Sequence, residues 1–241
     1  MRTFDLDDQK SFSDKLNDQQ EHPHDTLSRD MWSVFRIMGE FVEGYDKLYR
    51  IGPCISIFGS ARFDKENKYY KMAVETAKEV TKQGFGVITG GGPGIMEAAN
   101  KGANNGQGKS VGLGIEIPHE QGINSFVDKD LGIVFKYFFA RKVMFVKYAQ
   151  GFIVFPGGFG TLDEFFEAMT LIQTNKILKF PVVLMGTDYW SGLIDWIKNT
   201  MVKEGTISEE NLDLFHLTDD TKEAVDVICE FYREHRLRPN F

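Results

Sequence analysis

A chain of 241 residues, 42% of them hydrophobic, holds apolar material for one large α/β domain or two small ones. Its net charge of −7 argues against nucleic acid as a main partner, because phosphate backbones demand clustered Lys and Arg, while a local basic site for one nucleotide stays compatible. No apolar run reaches the length of a membrane span, and the Asp- and Gln-rich N-terminus is not a secretory signal.

Residues 1–24 are polar and irregular and read as a mobile arm. From 25 to 50, Leu27, Met31, Phe35, Met38, Val42, Tyr45 and Tyr49 recur at spacings of three and four, one face of an amphipathic helix. Asp25 or Thr26 suits its N-cap, and Gly52-Pro53 stops it. That apolar stripe must bury against its own domain or against another subunit. Residues 1–50 read as an extension, and 51–241 as one α/β domain.

Within 51–241, strands and helices alternate. Strands are expected at 54–58, 86–89, 110–117, 134–135, 152–155, 181–185 and 215–217, and helices at 69–82, 95–104, 138–148, 162–174, 190–201 and 221–234. Such alternation predicts a doubly wound, mostly parallel Rossmann-like sheet with helices on both faces. Cys54 and Cys229 fall in these elements, far apart and without metal-ligand spacing, and read as reduced thiols of a cytoplasmic protein.

Two glycine-rich turns follow strands and open helices. One is Pro156-Gly157-Gly158-Phe159-Gly160-Thr161, the other Gly90-Gly91-Gly92-Pro93-Gly94. Such turns point backbone N–H groups at the positive end of a helix dipole, a geometry that binds phosphate. Thr161 suits a helix cap or a phosphate contact. Glu164, one turn in, places a carboxylate beside whatever that turn holds. Neither turn spells Gly-x-Gly-x-x-Gly, so a dinucleotide redox enzyme is the weaker reading. Gly108-Lys109-Ser110-Val111-Gly112 fits a serine-hydrolase pattern and mimics a P-loop tail, but it enters a strand and no helix follows. The five histidines are scattered, which disfavours zinc.

Pro-Gly-Gly-x-Gly-Thr-x-x-Glu at 156–164 resembles the signature of the LONELY GUY (LOG) family, once labelled possible lysine decarboxylases. Arg141-Lys142 is similar to the family's Arg-Lys pair, 89–97 to its second glycine loop, and Ile57-Phe58-Gly59-Ser60 to its first strand and turn. The resemblance implies a phosphoribohydrolase that splits AMP or a cytokinin riboside 5′-monophosphate into free base and ribose 5-phosphate. It implies no metal or redox cofactor and a homo-oligomer. The extra segment of about 50 residues departs from the short members of the family.

On this reading Glu164 and Arg141 are catalytic. Glu164 supports an oxocarbenium-like transition state and activates water, and an Arg141 pair holds it ionised. Gly157, Gly158, Gly160 and Thr161 hold phosphate, with Gly91, Gly92, Gly59 and Ser60 around the ligand, and Arg62 touching phosphate or base. Lys142, Glu120 and Thr170 are substrate contacts by family position. Asp163 reads as solvent-facing and Glu97 as a complement to its helix dipole. The alternatives are a non-catalytic nucleotide sensor on the same fold, a decarboxylase, and a single-stranded DNA binder.

Overall fold

The computed structural model describes residues 23–117, 122–238 and 240–241, with the backbone alone for 23–26. Helix α1 spans Pro23–Leu48. It runs through the division between two compact units, one ending at Phe41 and one beginning at Val42. In the first unit Leu27, Met31, Phe35 and Met38 lie exposed along one helical stripe.

The second unit carries seven strands: β1 (Cys54–Phe58), β2 (Gly86–Thr89), β3 (Ser110–Ile115), β4 (Gly132–Phe135), β5 (Ala149–Val154), β6 (Val182–Met185) and β7 (His216–Thr218). All pair in parallel, in the order β4-β3-β2-β1-β5-β6-β7. Strands β1, β2, β5 and β6 are buried along their whole length, which is why β6, and β5 from Phe152 onward, read as unbroken apolar runs rather than alternating ones. The chain builds outward from β1 to β4, then returns to place β5 on the other side of β1. Ligands of such sheets bind beyond the carboxyl ends at that reversal.

The helices are α2 (Lys68–Lys82), α3 (Ile95–Asn105), α4 (Phe138–Tyr148), α5 (Phe159–Gln173), α6 (Thr187–Trp196) and α7 (Thr221–Glu234). Local chemistry starts two of them. The Asn67 side chain accepts from the Tyr69 N–H at α2, and Asp220 accepts from Lys222 and Glu223 at α7. Small residues bring α2 and α3 together, with Ala73 and Ala77 facing Ala98, Ala99 and Ala103 in one core. Among the described residues, no helix is long and apolar enough to cross a membrane.

Several boundaries differ from the sequence expectation. Helix α4 passes straight into β5 at Ala149, so β5 begins three residues early, hidden by the polar Gln150 and by Gly151. The region expected as one helix at 190–201 is α6 followed by a π-helical turn, Ile197–Val202. A 3₁₀ helix, Glu209–Leu214, has a capping box between Ser208 and Asn211 that the apolar pattern does not reveal. Helix α5 begins at Phe159 rather than 162, which puts Gly160 and Thr161 inside its first turn.

At Gly102 a Cβ would overlap the Val74 carbonyl and stand 2.7 Å from the Ala77 Cβ. Gly102→Ala should therefore cost roughly 1–3 kcal/mol, the usual penalty for overfilling a packed contact. Urea unfolding checks this; an unchanged midpoint would show that the two helices separate freely.

Candidate active site

Loops at the carboxyl ends of β1, β2 and β5 meet through the backbone of Ser60. Its N–H donates to the Pro156 carbonyl at 2.9 Å, and its carbonyl accepts from the Ile95 N–H at 3.0 Å. Gly94 lies against this turn with φ +66, where a Cβ would overlap the Ser60 carbonyl, so geometry and space both demand glycine. The second glycine loop has a buried polar support. The Thr89 hydroxyl donates to Asn100 Oδ1 at 2.6 Å and accepts from the Gly91 N–H at 2.9 Å. Asn124 Nδ2 donates to the carbonyls of Gly91 and Gly92 and to Asn100 Oδ1, at 2.9–3.1 Å.

These loops line a cleft of about 870 Å³. Gly59, Ser60, Arg62, Gly91, Gly92, Arg141, Gly157, Gly158, Gly160, Thr161 and Glu164 all face it. Gly158 caps α5 with an extended backbone; the Thr161 N–H donates to the Gly158 carbonyl at 3.0 Å, while Phe159 and Gly160, whose amides precede the first helical hydrogen bond, line the cleft. Thr161 is not the cap. Its side chain is buried under Gly157, where a Cβ would overlap the hydroxyl.

Glu164 is 4% exposed, and its Oε2 makes no hydrogen bond among the described residues. Lys142 Nζ stands 3.8 Å from that oxygen. Burial raises the carboxyl from its ordinary 4.5 to about 7, against the opposing pull of Lys142 and then Arg141. This corrects the expectation that an arginine pair keeps Glu164 fully ionised: desolvation outweighs both cations, and the group is poised near neutrality. Arg141 instead lies over the rings of Phe138 (5.1 Å) and Phe145 (5.6 Å), with Nη1 beside the Gly90 loop.

Other expected contacts sit elsewhere. Lys142, 13% exposed, is turned to the acidic face of α5, 2.8 Å from Asp163 and 3.1 Å from Glu167, and does not line the cleft. Asp163 faces solvent, as expected, and pairs with Lys142 from that exposed position. Thr170 lies in a separate shallow depression, and its hydroxyl donates back to the Phe166 carbonyl at 2.8 Å. Glu97 turns to Tyr70, whose hydroxyl donates to it at 2.9 Å. Glu120 falls outside the described residues.

Two polar side chains of the lining escaped the sequence reading. The Tyr189 hydroxyl donates to the Gly157 carbonyl at 2.6 Å and faces the cleft from α6. Glu116 follows β3 and also faces the cleft. No motif marks either one. Tyr189 reaches the glycine turn only through sheet order, and Glu116 reads as an ordinary polar residue at a strand end.

A cleft lined by two glycine turns at the reversal of a parallel sheet, with a buried carboxylate beside it, places the chain among Rossmann-like α/β proteins. Residues 96–228 match the family described as "Possible lysine decarboxylase", the LOG family, and the chain belongs to it. It is 29% identical over 183 residues to the cytokinin riboside 5′-monophosphate phosphoribohydrolase LOG of Oryza sativa subsp. japonica, covering 74% of this chain and 73% of that one. With LOG3 of Arabidopsis thaliana it shares 28% over 181 residues, 73% of this chain and 82% of the relative. Among solved structures, the molybdenum cofactor carrier protein of Chlamydomonas reinhardtii is 25% identical with a TM-score of 0.54, across 75% of this chain and 98% of that one. The TM1055 structure, at 19% identity and TM-score 0.53, shares the fold.

The Glu164 shift has a consequence for stability. A carboxyl whose folded-state pKa is raised binds its proton more tightly when folded. Its contribution is full below the unfolded value near 4.5 and is lost as pH rises through about 7. Glu164→Gln should thus be more stable than the parent at pH 8, by roughly 1–3 kcal/mol, and nearly equal to it at pH 5. Urea unfolding at both values checks the sign; an equal gap at the two would show that Glu164 does not titrate between them.

Proposed function

We propose that this chain hydrolyses the N-glycosidic bond of a nucleoside 5′-monophosphate, AMP or a cytokinin riboside 5′-monophosphate, to free base and ribose 5-phosphate. The observation that carries the reading is Glu164: a buried carboxylate, titrating near neutrality, beside a loop of anion-binding amides. The names of the plant relatives support the same activity.

The 5′-phosphate rests on the Gly157–Thr161 turn at the start of α5. Arg141 orients the ribose, together with Glu120. As the C1′–N bond breaks, its electron pair leaves with the base and positive charge grows on the ribose. The Glu164 carboxylate stabilises that charge and accepts a proton from the attacking water, whose oxygen bonds to C1′. The leaving base takes up a proton. No metal or redox group enters these steps. We further expect a cytoplasmic homo-oligomer, and light scattering on the full chain tests the latter, with a monomeric mass overturning it.

A carrier or sensor on the same fold is the second reading, prompted by the likeness to the algal molybdenum cofactor carrier protein. It leaves Glu164 without a task, because burying a carboxylate next to an anion site weakens anion binding. The decarboxylase of the family's description does not fit. A pyridoxal phosphate enzyme needs a lysine at the cofactor, and none of the described lining residues is lysine. Lys142 is committed to carboxylates of α5.

Purified protein is incubated with each nucleotide, and base and ribose 5-phosphate are separated by HPLC. Glu164→Gln should bind AMP with similar affinity and lose at least about a hundredfold in kcat. Near-normal turnover in that variant would overturn the assignment. Arg141→Ala should weaken binding and slow turnover together. kcat/KM should climb as pH rises through about 7, because the ionised carboxylate is the working form, and this limb should be absent from the residual activity of Glu164→Gln. A profile that falls across the same range would make Glu164 a general acid instead.

A further inference from the structure

The cleft is longer than its phosphate end requires. Parallel strands lie about 4.8 Å apart, so the loop after β3 stands about 14 Å from the loop after β5, with β1 and β2 between them. Arg62 and the Gly157–Thr161 turn occupy the β1–β5 end. Glu116 and a group of apolar side chains, Ile115, Ile117, Ile123, Val134 and Phe138, occupy the β3–β4 end.

The far end has the build of a base pocket. Gly114 keeps its floor open between Ile123 and Val134. Phe138, about half exposed, presents an aromatic surface at the wall. Glu116 is the only acidic group among the described residues at that end, and its carboxylate makes no hydrogen bond or ion pair among them. Its backbone is fixed, since the Glu116 N–H donates to the Phe135 carbonyl at 2.8 Å and continues the β3–β4 ladder. A carboxylate with a positioned backbone and uncommitted oxygens, at the rim of an apolar slot, accepts hydrogen bonds and donates none.

We propose that Glu116 is a specificity-determining residue that selects nucleotides whose base carries an exocyclic amino group. This rests on the nucleoside monophosphate reading of the cleft. With phosphate at the α5 turn and ribose beside Arg141 and the Gly90 loop, the base reaches the β3–β4 end, and an amino N–H meets the carboxylate. A base without that donor covers Glu116 and strips its water without replacing it. Glu116 is exposed at the rim, so the discrimination comes from the part of the carboxylate that the base covers, which an analogue lacking the donor leaves unpaired.

The test uses two pairs that differ by one amino group: AMP against purine riboside 5′-monophosphate, and GMP against IMP. Each is measured for kcat/KM and, by calorimetry, for Kd, in the parent protein, Glu116→Gln and Glu116→Ala. The parent should favour the amino member of at least one pair by about ten- to hundredfold. Glu116→Ala should collapse that ratio toward unity, and Glu116→Gln, which keeps a carbonyl acceptor, should fall between. Cleavage with no amino preference, or with a preference untouched in Glu116→Ala, overturns the role of Glu116 and leaves the hydrolase reading intact. Binding that shows the Glu116-dependent preference without cleavage supports the role of Glu116 and overturns the hydrolase. Neither binding nor cleavage of any of the four overturns both. Circular dichroism confirms that Glu116→Gln is folded should Glu116→Ala fail to express.

Discussion

Ser60 is held through its backbone on both sides, and the geometry of the cleft depends on that. Its N–H reaches the loop after β5, and its carbonyl reaches the first amide of α3 after β2. Each of the three loops leaves a different strand, and turns of this kind are ordinarily the more mobile parts of a fold. Two hydrogen bonds, with Gly94 pressed against the same turn, convert them into one rigid edge. The cost is sequence freedom: a side chain at Gly59 would run into Ile95, and one at Gly94 into the Ser60 carbonyl.

Above that edge two opposite electrostatic demands meet within a few residues. The start of α5 offers amides and a positive dipole end to an anion. Glu164, in the second turn of the same helix, is a carboxylate stripped of water. The two coexist because Lys142 holds the outer face of the helix through Asp163 and Glu167 and lends Glu164 only part of its charge. Desolvation therefore prevails and the carboxyl rests near neutrality. An unscreened ion pair at hydrogen-bonding distance would have held it ionised and reduced its basicity. The same residue is a burden to the folded state above neutral pH, a common trade at functional sites.

Much of the α/β alternation was legible because buried parallel strands are continuous apolar runs and their helices carry a regular stripe. The pattern failed where polarity masked a buried strand, as at Gln150 and Gly151 in β5, and where backbone hydrogen bonding alone sets the element, as in the π turn after Trp196. The two glycine loops were visible too, since close approach to a ligand or to another loop leaves glycine as the residue that fits. The support beneath them was not. Thr89, Asn100 and Asn124 are ordinary polar residues until the fold brings them within hydrogen-bonding distance.

By itself, the sequence determined the alternation of strands and helices, the two glycine-rich turns that follow strands and that an acidic residue follows the Pro156 glycine loop by one helical turn. Those are local matters, set by backbone geometry and by periodicity over a few residues. Tertiary structure decided the rest. It buried Glu164 and so moved its pKa, turned Lys142 away from the cleft and onto α5, brought Tyr189 against Gly157 across 32 residues, and set Glu116 at the far end of the cleft. Desolvation, side-chain direction and sheet order are properties of the packed chain, and none of them is written in the spacing of its residues.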